Sequence, residues 1–126
     1  MKELKQTIII NKPVEDVFAF TINPANTPKW VEAIVMEQTN EWPAKLGTIY
    51  RSQNQAGEWA ELELTVFEPN KAFTMRMTDG SEVRYAFAAP DTNTTKLDYV
   101  WASDGRLDAA FLDAILTKLK KVIEIS

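Results

Sequence analysis

The sequence predicts an α+β domain in which a curved antiparallel sheet of about six to seven strands wraps around one long C-terminal helix. From residue 33 to residue 101, apolar and polar residues alternate in runs separated by short turns, a pattern typical of antiparallel strands. Residues 107–125 place apolar side chains at helical spacing, with no glycine or proline. Because the apolar face of a sheet must be covered, this helix is the expected cover.

The N-terminal part predicts one strand followed by two short helices. The β-branched run Ile8 to Ile10 favours a strand over residues 4–10. Pro13 suits the first turn of a helix, where a backbone N–H has no partner. Asn23-Pro24 ends that helix. Residues 25–30 then predict a turn or a very short second helix that delivers Trp30.

The central strands are predicted from their alternation. The clearest run covers residues 59–67, where Leu62, Leu64 and Val66 are expected on one apolar face. Similar runs lie at 73–78, 82–87 and 97–101, and Asp79-Gly80 is a strong turn signal. Since the turns are short, consecutive strands should pair as an antiparallel meander.

Composition limits what this chain can do. Its 126 residues predict a single domain, residues 1–126. Fourteen basic against 18 acidic residues argue against nucleic acid as a partner. With no cysteine and no histidine, we expect no metal and no cofactor, and acid–base chemistry would need Asp, Glu, Tyr or Lys. A polar N-terminus and short apolar runs predict a cytoplasmic protein without membrane insertion.

The apolar strand faces are rich in aromatic residues and methionine, which predicts the wall of a ligand cavity. Ligand pockets are mostly apolar, and methionine adapts its shape to varied guests. The same alternation also fits a filled core, so the pattern alone leaves both alternatives open. The predicted cavity positions are Tyr50, Leu64, Phe73, Met75, Met77, Tyr85, Phe87, Trp101, Phe111 and Ile115.

Two residues are candidate polar anchors for a ligand, and no residue is predicted to be catalytic. Arg51 would face the cavity if Tyr50 faced outward, and its guanidinium could then bind a carboxylate with two hydrogen bonds. Tyr99 offers a phenol that both donates and accepts hydrogen bonds. Trp30 and Trp59 are interpreted as a cavity rim or a surface for a partner.

The whole chain resembles the Bet v 1-like superfamily, also called START-like, helix-grip or SRPBCC proteins, which includes polyketide cyclases, dehydrases and lipid-transport proteins. The resemblance depends on five segments: residues 13–18, Trp30, Gly47-Thr48, residues 67–71 and residues 119–124. It implies a fold organised around an internal cavity. The short segment before the last helix departs from the family pattern and implies a smaller or more open cavity.

The expected function is binding or carriage of a small hydrophobic ligand, such as a lipid, a polyketide or an aromatic metabolite, by a monomer or homodimer. The resemblance leaves two alternatives. One is a cyclase- or dehydrase-like enzyme without metal or nucleotide cofactor, which would need a tyrosine or an inward carboxylate, with Asp98 the nearest candidate. The other is a protein-interaction module, as in relatives that assist chaperones, which an exposed pair of Trp30 and Trp59 would favour.

Overall fold

The computed structural model describes residues 2–125, which form seven strands and three α-helices. The strands are β1 (Lys2–Ile10), β2 (Ile34–Thr39), β3 (Ile49–Asn54), β4 (Trp59–Glu68), β5 (Ala72–Met77), β6 (Glu82–Asp91) and β7 (Thr94–Ser103). The helices are α1 (Val14–Ile22), α2 (Thr27–Trp30) and α3 (Ala109–Ile125), and a 3₁₀ turn at Pro24–Asn26 joins α1 to α2.

All seven strands form one antiparallel sheet in the order β1-β7-β6-β5-β4-β3-β2. From β2 to β7 each strand pairs with the next along the chain, and β1 closes against β7. Gly80 (φ 89°) supplies the left-handed backbone that the turn between β5 and β6 needs. The predicted fold class is therefore confirmed: a curved antiparallel sheet, short helices after the first strand and a long C-terminal helix.

Helix α3 covers the concave side of the sheet with one apolar stripe. Its buried side chains are Leu112, Ile115, Leu116, Leu119 and Ile123. The helix begins at Ala109, two residues later than predicted, because the Asp108 carboxylate accepts hydrogen bonds from the first backbone N–H groups of the helix. At the other end, Lys120 Nζ donates to the Ile9 carbonyl oxygen at 2.7 Å, which ties α3 to β1.

Alternation along β4 breaks at a β-bulge between Leu64 and Val66. Leu62 and Leu64 are buried as predicted, but Val66 is exposed and Phe67 turns toward the core, where its ring contacts Phe18. The prediction of an inward Val66 is therefore wrong. A bulge adds one residue to the strand, so every later side chain changes face.

An aromatic cluster fills the interior between α1 and the sheet. Phe73 stacks on Tyr85 with ring centroids 4.1 Å apart, and the ring of Phe87 lies 5.9 Å from that of Phe73. The ring of Phe18 from α1 meets Phe73 edge-on at 5.7 Å and Phe87 at 5.3 Å. These contacts give this half of the domain a solid core.

Candidate functional site

A partly open cavity of about 230 Å³ lies at the other half of the domain, bordered by α2, β2, the central strands and the first turns of α3. Its wall is mostly apolar and aromatic. The lining residues are Thr21, Thr27, Trp30, Val31, Ala33, Ile34, Glu37, Leu62, Met75, Met77, Val83, Tyr85, Tyr99, Trp101, Phe111, Leu112 and Ile115. The interior is thus a filled aromatic core on one side and a void on the other.

The predicted cavity positions divide between these two halves. Six of them line the void: Met75, Met77, Tyr85, Trp101, Phe111 and Ile115. Tyr99, a candidate anchor, lines it as well. Four others, Tyr50, Leu64, Phe73 and Phe87, are buried in the core and do not line the cavity. Alternation identifies the inward face, but it does not say where along that face the packing leaves space.

Arg51 lies on the outer face of the sheet, contrary to its candidate role as an inward anchor. Its guanidinium carbon sits 4.8 Å from the centroid of the Trp59 ring, and its Nε lies 3.8 Å from a Glu61 carboxylate oxygen. The neighbouring Tyr50 points inward instead, where its hydroxyl donates to the carbonyl oxygen of Ile22 at 2.6 Å. Since adjacent strand residues face opposite ways, the inward Tyr50 excludes Arg51 from the cavity.

Glu37 supplies a carboxylate to the cavity wall, a position that was not predicted from the sequence. A β-bulge between Ile34 and Met36 reverses the alternation of β2, so Val35 and Met36 are exposed while Ile34 and Glu37 reach the cavity. One Glu37 oxygen accepts from Thr27 Oγ1 at 2.7 Å, and the other accepts from Ser52 Oγ at 2.5 Å. The only signal in the sequence was an acidic residue directly after the apolar run Ile34 to Met36.

Burial raises the pKa of the Glu37 carboxyl, and the two hydroxyl donors lower it in part. Desolvation penalises the charged form, whereas hydrogen bonds to the carboxylate stabilise that form. Among residues 2–125, the ion pairs of lysine and arginine side chains do not include Glu37. This group is therefore a partly buried acid held by neutral donors in an apolar surrounding.

The two tyrosines of the cavity wall remain neutral phenols at neutral pH. Burial raises the pKa of both Tyr85 and Tyr99. Their rings meet edge-on with centroids 4.9 Å apart, and the pKa of Tyr85 is raised further by Tyr99 and by the charge of Glu37. A negative carboxylate disfavours a second negative charge nearby. These hydroxyls can therefore act as hydrogen-bond groups and not as phenolates.

Trp30 is buried, with only 2% of its surface exposed, and lines the cavity. Its indole N–H has no hydrogen-bond partner, a state found for no other buried side-chain nitrogen or oxygen of the described residues. An unsatisfied buried donor costs about 1–3 kcal/mol. Trp59, in contrast, is 41% exposed on β4. An exposed pair of Trp30 and Trp59, the surface expected for a protein-interaction module, is not formed.

Other acidic side chains lie away from the cavity. Asp98 accepts from Thr7 Oγ1 at 2.6 Å and lies 3.9 Å from Lys5 Nζ, so it is not the inward carboxylate. Within residues 2–125, no group of three or more acidic side chains is placed to hold a metal ion. No α-helix of that range is long and apolar enough to cross a membrane.

The fold and an apolar cavity beneath a C-terminal helix define a helix-grip domain. The chain belongs to the family described as polyketide cyclase/dehydrase and lipid transport, whose model matches residues 1–124. A search of curated protein sequences finds no match.

Three solved structures illustrate how widely this fold is shared. The Aha1 dimer from Colwellia psychrerythraea is 16% identical, with a TM-score of 0.74 over 99% of this chain and 98% of that one. A conserved protein of unknown function from Enterococcus faecalis is 12% identical, with a TM-score of 0.79 over 97% and 71%. An AHSA1-like protein from Aeromonas hydrophila is 19% identical, with a TM-score of 0.70 over 97% and 93%. At these identities the likeness concerns the fold alone.

Proposed function

We propose that this protein binds a compact, mostly apolar ligand in the cavity beside Trp30 and Glu37. The observation that carries the proposal is the void of about 230 Å³ with its aromatic and methionine wall. Proteins normally pack their interiors closely, so a lined void of this size is itself informative.

The size of the cavity limits the ligand. Pockets for drug-sized molecules usually measure about 300–1,000 Å³, whereas this cavity measures about 230 Å³. That space suits a molecule of one or two fused rings and not a long-chain lipid. Met75 and Met77 on β5 supply flexible walls that can adjust to the shape of the guest.

A thermal-shift series tests this proposal by ligand size. We expect naphthalene-sized compounds to raise the melting temperature. Palmitate, tested at the same fraction of its solubility limit, should have no effect. A ligand present at 100 times its Kd stabilises the folded state by about 2.7 kcal/mol, which for a domain of this length raises the melting temperature by roughly 8 °C. Absence of a shift for every compact apolar compound would contradict the proposal.

Filling the cavity from within should abolish binding. Val83 is buried on β6 and lines the cavity, so in Val83→Phe the larger ring occupies the ligand space. We expect at least a tenfold loss of affinity in calorimetric titrations, while the domain stays folded because the void receives the added atoms. Val66→Phe is the matched control, since the same substitution at an exposed position of β4 should leave affinity unchanged.

Proton transfer by Glu37 is a second candidate function, favoured by a single observation. An acid with a raised pKa in an apolar cavity is suited to general acid–base chemistry. With 2-tetralone as a compact ketone, the Glu37 carboxylate would take a proton from the carbon beside the carbonyl, and solvent deuterium would replace it. NMR in D₂O should then show exchange that Glu37→Gln abolishes; equal rates in both proteins would leave binding as the only function supported.

A further inference from the structure

Helix α2 and strand β2 each contribute polar groups to the cavity wall. Thr27 and Trp30 lie three residues apart in α2, a spacing that places two side chains on the same side of a helix. Both line the cavity, and Thr27 holds one oxygen of Glu37 by its hydroxyl. The indole of Trp30 and the carboxylate of Glu37 therefore lie on two elements that the Thr27–Glu37 hydrogen bond joins at the cavity wall.

Trp30 and Glu37 offer complementary hydrogen-bonding groups, one a donor and the other an acceptor. Trp30 Nε1 is a donor without an acceptor. The Glu37 carboxylate has about four lone-pair sites, of which Thr27 and Ser52 occupy one on each oxygen. A ligand group that satisfies both must accept from the indole and donate to the carboxylate.

We propose that Trp30 and Glu37 together recognise a hydroxyl group on a compact aromatic ligand, which accepts from Trp30 Nε1–H and donates to the Glu37 carboxylate. This inference rests on the proposed function of the cavity. Among simple ligand groups, a hydroxyl has both a proton to donate and lone pairs to accept. An ammonium group has no lone pair for Trp30, and a carboxylate would be repelled by the charge of Glu37.

Three probes with the same ring system separate these possibilities: 2-naphthol, naphthalene and 2-naphthoate. For the wild-type protein at pH 7, we expect 2-naphthol to bind at least tenfold more tightly than naphthalene, and 2-naphthoate to bind more weakly than either. A site built to hydrogen-bond a hydroxyl discriminates against the analogue that lacks it, because the polar groups of the site then remain unpaired.

Variants assign the discrimination to the two residues. Trp30→Phe keeps an aromatic ring but removes the N–H, so we expect the preference for 2-naphthol over naphthalene to fall about tenfold. Glu37→Gln removes the charge and should recover binding of 2-naphthoate. Trp59→Phe is the matched control: the same substitution outside the cavity lining should change no affinity.

An NMR measurement on the unsubstituted protein keeps the proposal testable even if Trp30→Phe fails to fold. The four tryptophans give four indole N–H signals, and 2-naphthol should shift the Trp30 signal downfield, as a new hydrogen bond requires, whereas naphthalene should not. Equal affinity for 2-naphthol and naphthalene, without that shift, would overturn hydroxyl recognition and leave the cavity as an apolar binding site. Failure of every probe to bind would instead overturn the proposed function.

Discussion

Replacing Phe73 with alanine is expected to lower the free energy of unfolding by about 3–5 kcal/mol, the usual cost of deleting a buried phenyl ring. Phe73 is fully buried and stacks on Tyr85 at 4.1 Å. Its ring also borders Phe18 and Phe87, so one substitution leaves three aromatic neighbours facing a new cavity. Chemical denaturation monitored by far-UV circular dichroism measures the change.

The matched control is Phe111→Ala in α3. Phe111 is 41% exposed and lines the existing cavity, where its ring meets that of Trp101 edge-on at 6.1 Å. We expect a cost of about 1 kcal/mol, because little buried area is lost. Equal destabilisation by the two substitutions would contradict the division of the interior into a solid aromatic core and a ligand cavity.

Most of the fold could be predicted from the sequence because most strands repeat the same two-residue period between clear turns. The runs at residues 73–78 and 82–87 give the faces that the structure shows, with Phe73, Met75, Val83 and Tyr85 buried. Helix α3 could be predicted because its apolar residues recur at helical spacing and no glycine or proline interrupts them. Regular elements are thus recoverable from pattern alone.

Two departures from the predicted pattern lie at β-bulges, neither of which leaves a periodic signal in the sequence. The bulge in β4 turns Val66 outward, and the bulge in β2 brings Glu37 to the cavity. An added residue reverses every later side chain of a strand. Bulges are common beside functional sites, where they redirect a side chain. The bulge in β2 therefore broke the alternation on which the prediction depended, and it placed the Glu37 carboxylate at the cavity.

The other unpredicted feature is the location of the void. Tyr50 and Phe87 occupy inward positions of the same kind as Tyr85 and Trp101, yet only the latter pair line the cavity. The difference arises from α1, whose Phe18 fills the space beside Phe87. Helix α1 ends at Ile22, and the cavity begins at Thr21 and continues along α2. The location of the void depends on the volumes of side chains from segments that are distant in the sequence. The alternation within one strand carries no information about those volumes.

Ser52→Ala is expected to lower the free energy of unfolding by about 2 kcal/mol at pH 8, since hydrogen bonds to charged groups contribute about 1.5–3 kcal/mol. Ser52 is buried on β3, and its hydroxyl donates to Glu37 Oε2. The loss should depend on pH. Burial raises the pKa of Glu37 above 4.5 in the folded protein, so the folded state binds the proton more tightly and its stability falls as pH rises from 4.5 through the folded pKa.

Removing the Ser52 hydroxyl raises that pKa further, because this donor stabilises the charged form. The cost of Ser52→Ala should therefore be largest above the pKa of Glu37 and should decrease as pH falls toward 4.5. In a Glu37→Gln background the cost of Ser52→Ala should be smaller and independent of pH, which a double-mutant cycle measures directly.

Ser81→Ala is the matched control. Ser81 is equally buried, and its hydroxyl bonds both the Ser103 hydroxyl and the Asp79 carboxylate. Because these bonds lower the pKa of Asp79 below its ordinary value of 3.8, Asp79 stays charged throughout this range and the cost of Ser81→Ala should be constant between pH 4.5 and pH 8. A flat pH profile for Ser52→Ala would show that neutral donors do not hold Glu37 in its charged form. The negative charge that we infer for Glu37 at the cavity would then have to be abandoned.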